Sequence, residues 1–286
     1  MNLTAREAEI IRILGILSEK TSGFVVVGGY AVNALDGHRF SVDLDLVTDD
    51  EHLPHLDLVL TREKYGISKL GKPQAARHHV REYMRLVGKE PVKVALYVNS
   101  FVCRQTMGEW ASDFISENSS KGIVVGATGS TQAPVVRREL LIAMKMHSCR
   151  DQDLRDIVML SERVNWEIVA GLAARGSFKR VEEQIGSAIA RVGDDRFESA
   201  IKAEFALRMN VNPLVKRTIR GLRKVEFFLT NQGVPLPLKR DGVRDRDKMR
   251  RAAKAIDLHR AEIGAVKGWS STDEIRKWRE LRRPRF

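Results

Sequence analysis

Apolar residues at Ile10, Ile11, Ile13, Leu14 and Leu17 recur at helical spacing and predict an amphipathic helix over residues 4–19. A β-branched run follows, Phe24 to Val27, and stops at Gly28-Gly29, which reads as a strand ended by a tight turn. Tyr30 to Leu35 begins a helix that Gly37 breaks. From Phe40 to Val47 the pattern changes to strict alternation. Phe40, Val42, Leu44 and Leu46 fall on one side, and Ser41, Asp43 and Asp45 on the other, the period of a half-buried strand. Residues 51–65 carry a weaker helical pattern interrupted by Pro54. Glu82 to Val87 and Val92 to Val98 read as two strands of a hairpin joined through Gly88-Lys89-Glu90-Pro91, and Ile123 to Val125 as a further short strand. After Pro134 helical stretches dominate, at about 134–149, 153–174, 178–191, 194–208 and 213–231.

These elements predict an α+β protein: a small mixed β-sheet with flanking helices, followed by a helical half. Three regions are expected: an α/β domain over 1–130, a helical domain over 131–230 closing a cleft against it, and a C-terminal extension over 231–286. The segment NQGVPLPLKRDG, residues 231–242, is the linker candidate, because its Gly and Pro residues interrupt the helical texture.

Charge sharpens the division. Of the 49 Lys and Arg and 37 Asp and Glu in the chain, residues 215–286 hold 21 basic and 9 acidic side chains, which accounts for the entire net charge of +12. Such a one-sided field attracts polyanions, nucleic acid first among them, although a solvated basic tail has the same composition. Trp269 and Trp278 stand among Arg276, Lys277, Arg279, Arg282 and Arg283, where they would stack on bases or pack on the helical half. No run of apolar residues is long enough for a membrane span. The two cysteines, Cys103 and Cys149, make neither a disulfide framework nor a CxxC zinc site, so a reducing, cytoplasmic setting is expected.

The strongest chemical pattern joins Val25-Val26-Val27-Gly28-Gly29 to Asp43-Leu44-Asp45. A strand delivers the chain to a glycine turn, whose backbone N–H groups and following helix N-terminus suit phosphate. The next strand then presents Asp43 and Asp45 on one face, where two carboxylates repel unless a cation lies between them. Hard oxygen ligands of this kind suit Mg²⁺ or Mn²⁺ held together with substrate phosphates. Ser41 falls on the same face and Arg39 is near enough to assist with phosphate. Each half of this pattern has an ordinary reading, a tight turn and a solvated strand face. Their combination at this spacing favours the site.

VGGYAVNAL…RFSVDLDL resembles the signature of the polymerase-beta-type nucleotidyltransferases and, within them, the AbiEii-like toxins of abortive-infection and type IV toxin–antitoxin systems. A second stretch, ELLIAMKMHSCRDQDLRDIVML over 139–160, is similar to that family's helical motif, with its lysine on Lys145, its arginine on Arg150 and its acids on Asp153 and Asp156. The resemblance implies a nucleotidyltransferase fold and transfer of a nucleotidyl group from a nucleoside triphosphate with Mg²⁺ or Mn²⁺ held by Asp43 and Asp45. Gly28, Gly29, Ser41, Arg39 and Lys145 would contact the nucleotide. Asp43, Asp45, Lys145 and Asp156 form the catalytic set. It also implies an RNA acceptor, transfer RNA first, and an antitoxin partner. Transfer to a small molecule or a protein, or a degenerate nucleotide- or RNA-binding regulator, are the alternatives. From the residues alone, Asp153 reads as a helix cap paired with Arg150 or Arg155, and Asp156 as the functional acid of the two.

One departure stands out. The superfamily often carries a third carboxylate on a later strand, and its place here is within Val92 to Val98, near Ala95, where no acid occurs. Glu90, Glu109 and Asp156 are the substitutes considered from sequence.

Overall fold

The computed structural model describes residues 3–36, 39–70, 79–206 and 208–232. Most of the linker candidate, the two C-terminal tryptophans and the terminal basic cluster lie outside the described residues.

The chain opens with α1 (Leu3–Lys20), β1 (Phe24–Val27), α2 (Gly28–Leu35), β2 (Asp43–Thr48) and α3 (Leu53–Arg62). Strands β3 (Gly66–Leu70), β4 (His79–Val87), β5 (Glu90–Val98), β6 (Ser100–Cys103) and β7 (Gly108–Ala111) follow. After α4 (Ser112–Glu117) come β8 (Ser119–Gly126) and β9 (Gly129–Val136). The helices α5 (Arg138–Ser148), α6 (Asp151–Leu160), α7 (Trp166–Ala173), α8 (Phe178–Val192), α9 (Asp195–Glu204) and α10 (Asn212–Gln232) complete the described chain. The result is α+β, as the patterning implies: a mixed sheet first, helices after it.

Seven strands form one sheet in the order β3-β4-β5-β2-β1-β9-β8, and β6 pairs with β7 in a separate ribbon. At its centre β2 runs antiparallel to β1 and parallel to β5, and β5 in turn runs antiparallel to β4. The central β1 is buried on both faces, which explains its uninterrupted β-branched run. Ile10, Ile13, Leu14 and Leu17 of α1 are fully buried against this sheet. Helices α1 and α3 cover one face: Arg81 and Tyr83 of β4 reach Asp57 on α3, and Arg85 reaches Glu9 on α1.

Several local readings change in the folded chain. Strand β2 begins only at Asp43, so Phe40 to Val42 do not continue its alternation. Side chains of α2 take the place of strand neighbours there. The Asn33 amide donates to the Arg39 carbonyl at 2.9 Å, and the Tyr30 hydroxyl donates to the Ser41 carbonyl at 2.9 Å. Residues 134–136 belong to β9, where Val26 of β1 pairs with Val135, and the helix starts at Arg138. The stretch 153–174 is two helices, because Asn165 caps the second by accepting from the backbone N–H of Glu167 and Ile168. Pro54 stands in the first turn of α3, where its missing N–H costs nothing.

Candidate active site

At the end of β1 the backbone turns through Gly28 at φ +66° directly into α2. Gly28 is required twice over, by that left-handed conformation and by space. A Cβ built there would lie 2.3 Å from Asp45 Oδ2. At Gly29 a Cβ would meet Ser41 Oγ at 2.5 Å and Arg39 Nη2 at 3.2 Å. The two glycines therefore let the Asp43–Asp45 strand and the Arg39–Ser41 segment close against the helix start.

The register places the chemistry. Val27 pairs with Asp45 across β1 and β2. Across β2 and β5, Asp43 pairs with Lys93 and Asp45 with Ala95. These side chains and Tyr97 point away from the face covered by α1 and α3, into a solvent-open cavity of about 270 Å³. Lys145, Ser148, Arg150 and Asp153, from α5 and the start of α6, line its opposite wall, and Glu82 of β4 lines it beside Ala95. Acids on the sheet thus face cations on the helical wall.

Burial, and then the neighbouring charge of Asp43, push the Asp45 carboxyl up to about 6. Asp45 in turn, with burial, pushes the Tyr97 phenol well above its ordinary range, and the Tyr97 hydroxyl donates to Asp45 Oδ1 at 3.4 Å. The helical wall is knit by a buried network. Lys145 Nζ donates to Asp156 Oδ2 at 2.6 Å and to Asp153 Oδ1 at 3.2 Å. Arg39 makes a two-point pair with Asp156, at 2.6 and 2.8 Å. Asp153 also accepts from Ser148 Oγ at 2.6 Å and from Arg150 Nε at 2.7 Å, and it caps α6 through the Arg150 backbone N–H. Burial raises the Asp153 carboxyl, but Lys145, Arg150 and Ser148 together outweigh it and bring it down to about 2. Cys149, at φ +50°, ends α5 and swings the chain into α6, so that Lys145 and Arg150 meet the same acid.

Gly28, Asp43, Asp45 and Lys145 all line the cavity. Ser41 stands beside Gly29 on the segment before β2. Arg39 and Asp156 lie behind the wall: both are buried, they bind each other, and Asp156 joins Arg39 to Lys145. Glu90 sits at the hairpin end of β5 opposite Val87, and Glu109 on the separate ribbon opposite Val102. Lys93, Tyr97, Glu82 and Ser148 are among the cavity residues that sequence patterning did not single out as site residues.

Arg150 offers a clean test of the cationic wall, because its side chain is 70% exposed while its Nε holds Asp153. For the nucleoside triphosphate that the sequence resemblance implies, Arg150→Ala is expected to weaken binding by about 10-fold, measured by calorimetry, and to change stability by about 1 kcal/mol or less.

No protein-family model matches the chain, and no curated protein does. Among solved structures, a nucleotidyltransferase candidate from H. pylori is similar at 13% identity, covering 81% of this chain and 98% of its own, with a TM-score of 0.44. JHP933 from Helicobacter pylori is similar at 12% identity, covering 90% of this chain and 99% of its own, with a TM-score of 0.45. ANT(2")-Ia in complex with adenylyl-2"-tobramycin is similar at 15% identity, covering 60% of this chain and 96% of its own, with a TM-score of 0.43.

Proposed function

We propose that this protein is a nucleotidyltransferase that moves a nucleoside monophosphate from a nucleoside triphosphate to an acceptor hydroxyl. One observation carries the reading: the Gly28 turn and the Asp43–Asp45 pair meet in one cavity opposite Lys145 and Arg150. Glycine turn, paired carboxylates and facing cations are the parts that hold a triphosphate and stabilise charge moving across it.

Asp43 and Asp45 would hold Mg²⁺ or Mn²⁺. The donor set fits, since both ligands are hard oxygens and burial with mutual repulsion already disfavours the Asp45 charge. Among the described residues, no three His, Cys, Asp or Glu side chains stand close enough to hold an ion by themselves. Two carboxylates plus substrate phosphates are the usual holding set for Mg²⁺. When bound, such an ion neutralises charge on phosphate oxygens. The Gly28–Gly29 turn and Ser41 receive phosphate oxygens, and Lys145 and Arg150 steady the triphosphate from the helical wall. The acceptor oxygen forms its bond to the α-phosphate as the bond to pyrophosphate breaks, and the hydroxyl proton leaves to a cavity base or water. Arg39 and Asp156 act by positioning Lys145.

The motifs over 24–160 support placing the chain with the AbiEii-like toxins, and an RNA acceptor, transfer RNA first, suits the basic residues 215–286. Five of those basic residues, Lys216, Arg217, Arg220, Arg223 and Lys224, lie on α10. Arg217 and Lys224 pair with Glu162 and Glu167 at 3.9 and 3.1 Å. In this reading residues 1–130 carry the metal and phosphate chemistry, 131–230 close the cleft, and 231–286 recruit the acceptor. An antitoxin protein is the partner the family resemblance implies. Among the described residues no helix is long and apolar enough to cross a membrane.

Incubation with each α-labelled nucleoside triphosphate, Mg²⁺ and total RNA is expected to label RNA of discrete size. Label confined to small molecules or protein would replace the RNA acceptor. Binding of nucleotide with no transfer would replace the enzyme by a regulator.

A further inference from the structure

The two carboxylate oxygens of Asp45 meet different neighbours. Oδ2 is the atom that a Cβ on Gly28 would strike. Oδ1 accepts from the Tyr97 hydroxyl at 3.4 Å. Strand register sets up this second contact. Asp45 pairs with Ala95 and Val47 with Tyr97, so Tyr97 stands one step further along the cavity face of β5, diagonal to Asp45. A side chain as small as Ala95 leaves the phenol room to lean back to the carboxylate. The ring itself is held by packing. Its centroid lies 4.8 Å from that of Phe101 on β6, tilted by 52°. Phe101 lies against Trp110 at 6.4 Å, and Trp110 meets His147 of α5 edge-on at 4.9 Å. Trp110 and His147 are buried and tied down. Trp110 Nε1 donates to the Leu172 carbonyl at 3.2 Å, and His147 Nε2 lies 2.9 Å from the Ala173 carbonyl. An aromatic column thus runs from Tyr97 to the helix that carries Lys145.

We propose that Tyr97 is a positioning residue for Asp45: its hydroxyl pins Oδ1 to the sheet wall, so that Oδ2 faces the Gly28 turn, where cation and phosphate would meet. This rests on the nucleotidyltransferase reading above. The need for such a pin follows from the cavity. Rotation about the last bond of an aspartate is soft. Lys145 and Arg150 on the opposite wall attract the Asp45 charge, and Asp43 on its own strand repels it. A free carboxylate would turn toward those cations and away from the glycine turn. A neutral donor holds it without competing for its charge, as a lysine at the same place would. Tyr97 has little freedom of its own, because its ring is wedged against Phe101. The bond is long, as hydrogen bonds at a reacting site often are before substrate is bound. In the sequence, a tyrosine in an alternating strand reads as an ordinary strand former. Only the register of β5 on β2 sets its hydroxyl against the acid.

The test measures Mn²⁺ binding to the full chain by electron paramagnetic resonance, with an α,β-methylene nucleoside triphosphate analogue of each base present in turn. Wild type is compared with Tyr97→Phe, Asp45→Asn and the double variant, with circular dichroism to verify folding. Tyr97→Phe keeps the ring against Phe101 and removes only the hydroxyl. It is expected to lower Mn²⁺ affinity by about 10-fold. Asp45→Asn keeps Asp43 and the analogue's phosphates, so its binding, weaker by about 10-fold or more, is still measured at higher Mn²⁺. In that background Tyr97→Phe should cost less than about 2-fold more, because a residue that acts through Asp45 has nothing left to position. An equal loss in both backgrounds means that Tyr97 shapes the cavity as a whole, and overturns the assignment. A Tyr97→Phe protein that does not fold overturns it as well. Unchanged affinity in Tyr97→Phe beside a loss in Asp45→Asn overturns it and leaves the site reading standing. No Mn²⁺ binding by wild type, or none lost in Asp45→Asn, overturns both the site reading and this assignment.

Discussion

Asp45→Asn is expected to lower nucleotidyl transfer by about 1000-fold or more, equivalent to about 4 kcal/mol of transition-state stabilisation, while the metal-free protein becomes more stable. Both effects follow from one placement. Asp45 sits where Gly28 has no Cβ, with Asp43 on the same strand face. Burial and Asp43 hold its carboxyl at about 6, above the ordinary value of about 3.9. For an acid raised on folding, the cost of carrying the charge is absent below about pH 4. It grows as pH rises to 6 and is complete above that. Asparagine fills the same space without the charge. Thermal melts in EDTA should therefore show the variant and wild type together at pH 4 and the variant higher at pH 7.5. Mg²⁺ with nucleotide should raise the melting temperature of wild type and not of the variant. A variant that retains transfer, or that melts below wild type at pH 7.5 in EDTA, would remove Asp45 from the metal-holding role.

Asp156→Asn should cost about 3–5 kcal/mol of stability. Asp156 is fully buried and is the shared counter-charge of Arg39 and Lys145. Arg39 lies on the segment leading into the Asp43–Asp45 strand, and Lys145 on the helix that forms the opposite wall. Removing the shared acid leaves two buried cations undercompensated, with Asp153 still at 3.2 Å from Lys145 and Glu204 at 4.0 Å from Arg39. Chemical denaturation measures the loss, and 1 M salt should change it little because a buried pair is poorly screened. Lys145→Ala strips Asp156 and Asp153 of the same cation, so it should also be destabilising, and its nucleotide affinity must be read on protein shown to be folded. A loss below about 1 kcal/mol in Asp156→Asn would mean that water reaches this network.

Much of the site was legible in the chain. Val25 to Val27 followed by Gly28-Gly29 announced a strand and a turn because β-branched residues and paired glycines leave few backbone choices. Asp43 and Asp45 were bound to share a face by the two-residue period of a strand, whereas the turn through Cys149 that brings Lys145 and Arg150 to Asp153 is seen only in the fold. Residues 40–42 alternate like a strand but do not pair as one, because the carbonyls of Arg39 and Ser41 accept from Asn33 and Tyr30, side chains of α2. The hairpin shows most sharply what sequence leaves open. A turn over Gly88 to Pro91 would set Glu82 opposite Tyr97. The observed turn is two residues tighter, Val87 pairs with Glu90, and Glu82 falls opposite Ala95. Both registers keep Glu82 on the same face, so the hydrophobic pattern cannot choose between them. Nor does any local pattern bring Arg39 to Asp156, 117 residues apart. Period and turn chemistry act over a few residues and determined which side chains face which way. Which face meets which, and in what register, is decided by burying the central strands and pairing the charges that go in with them.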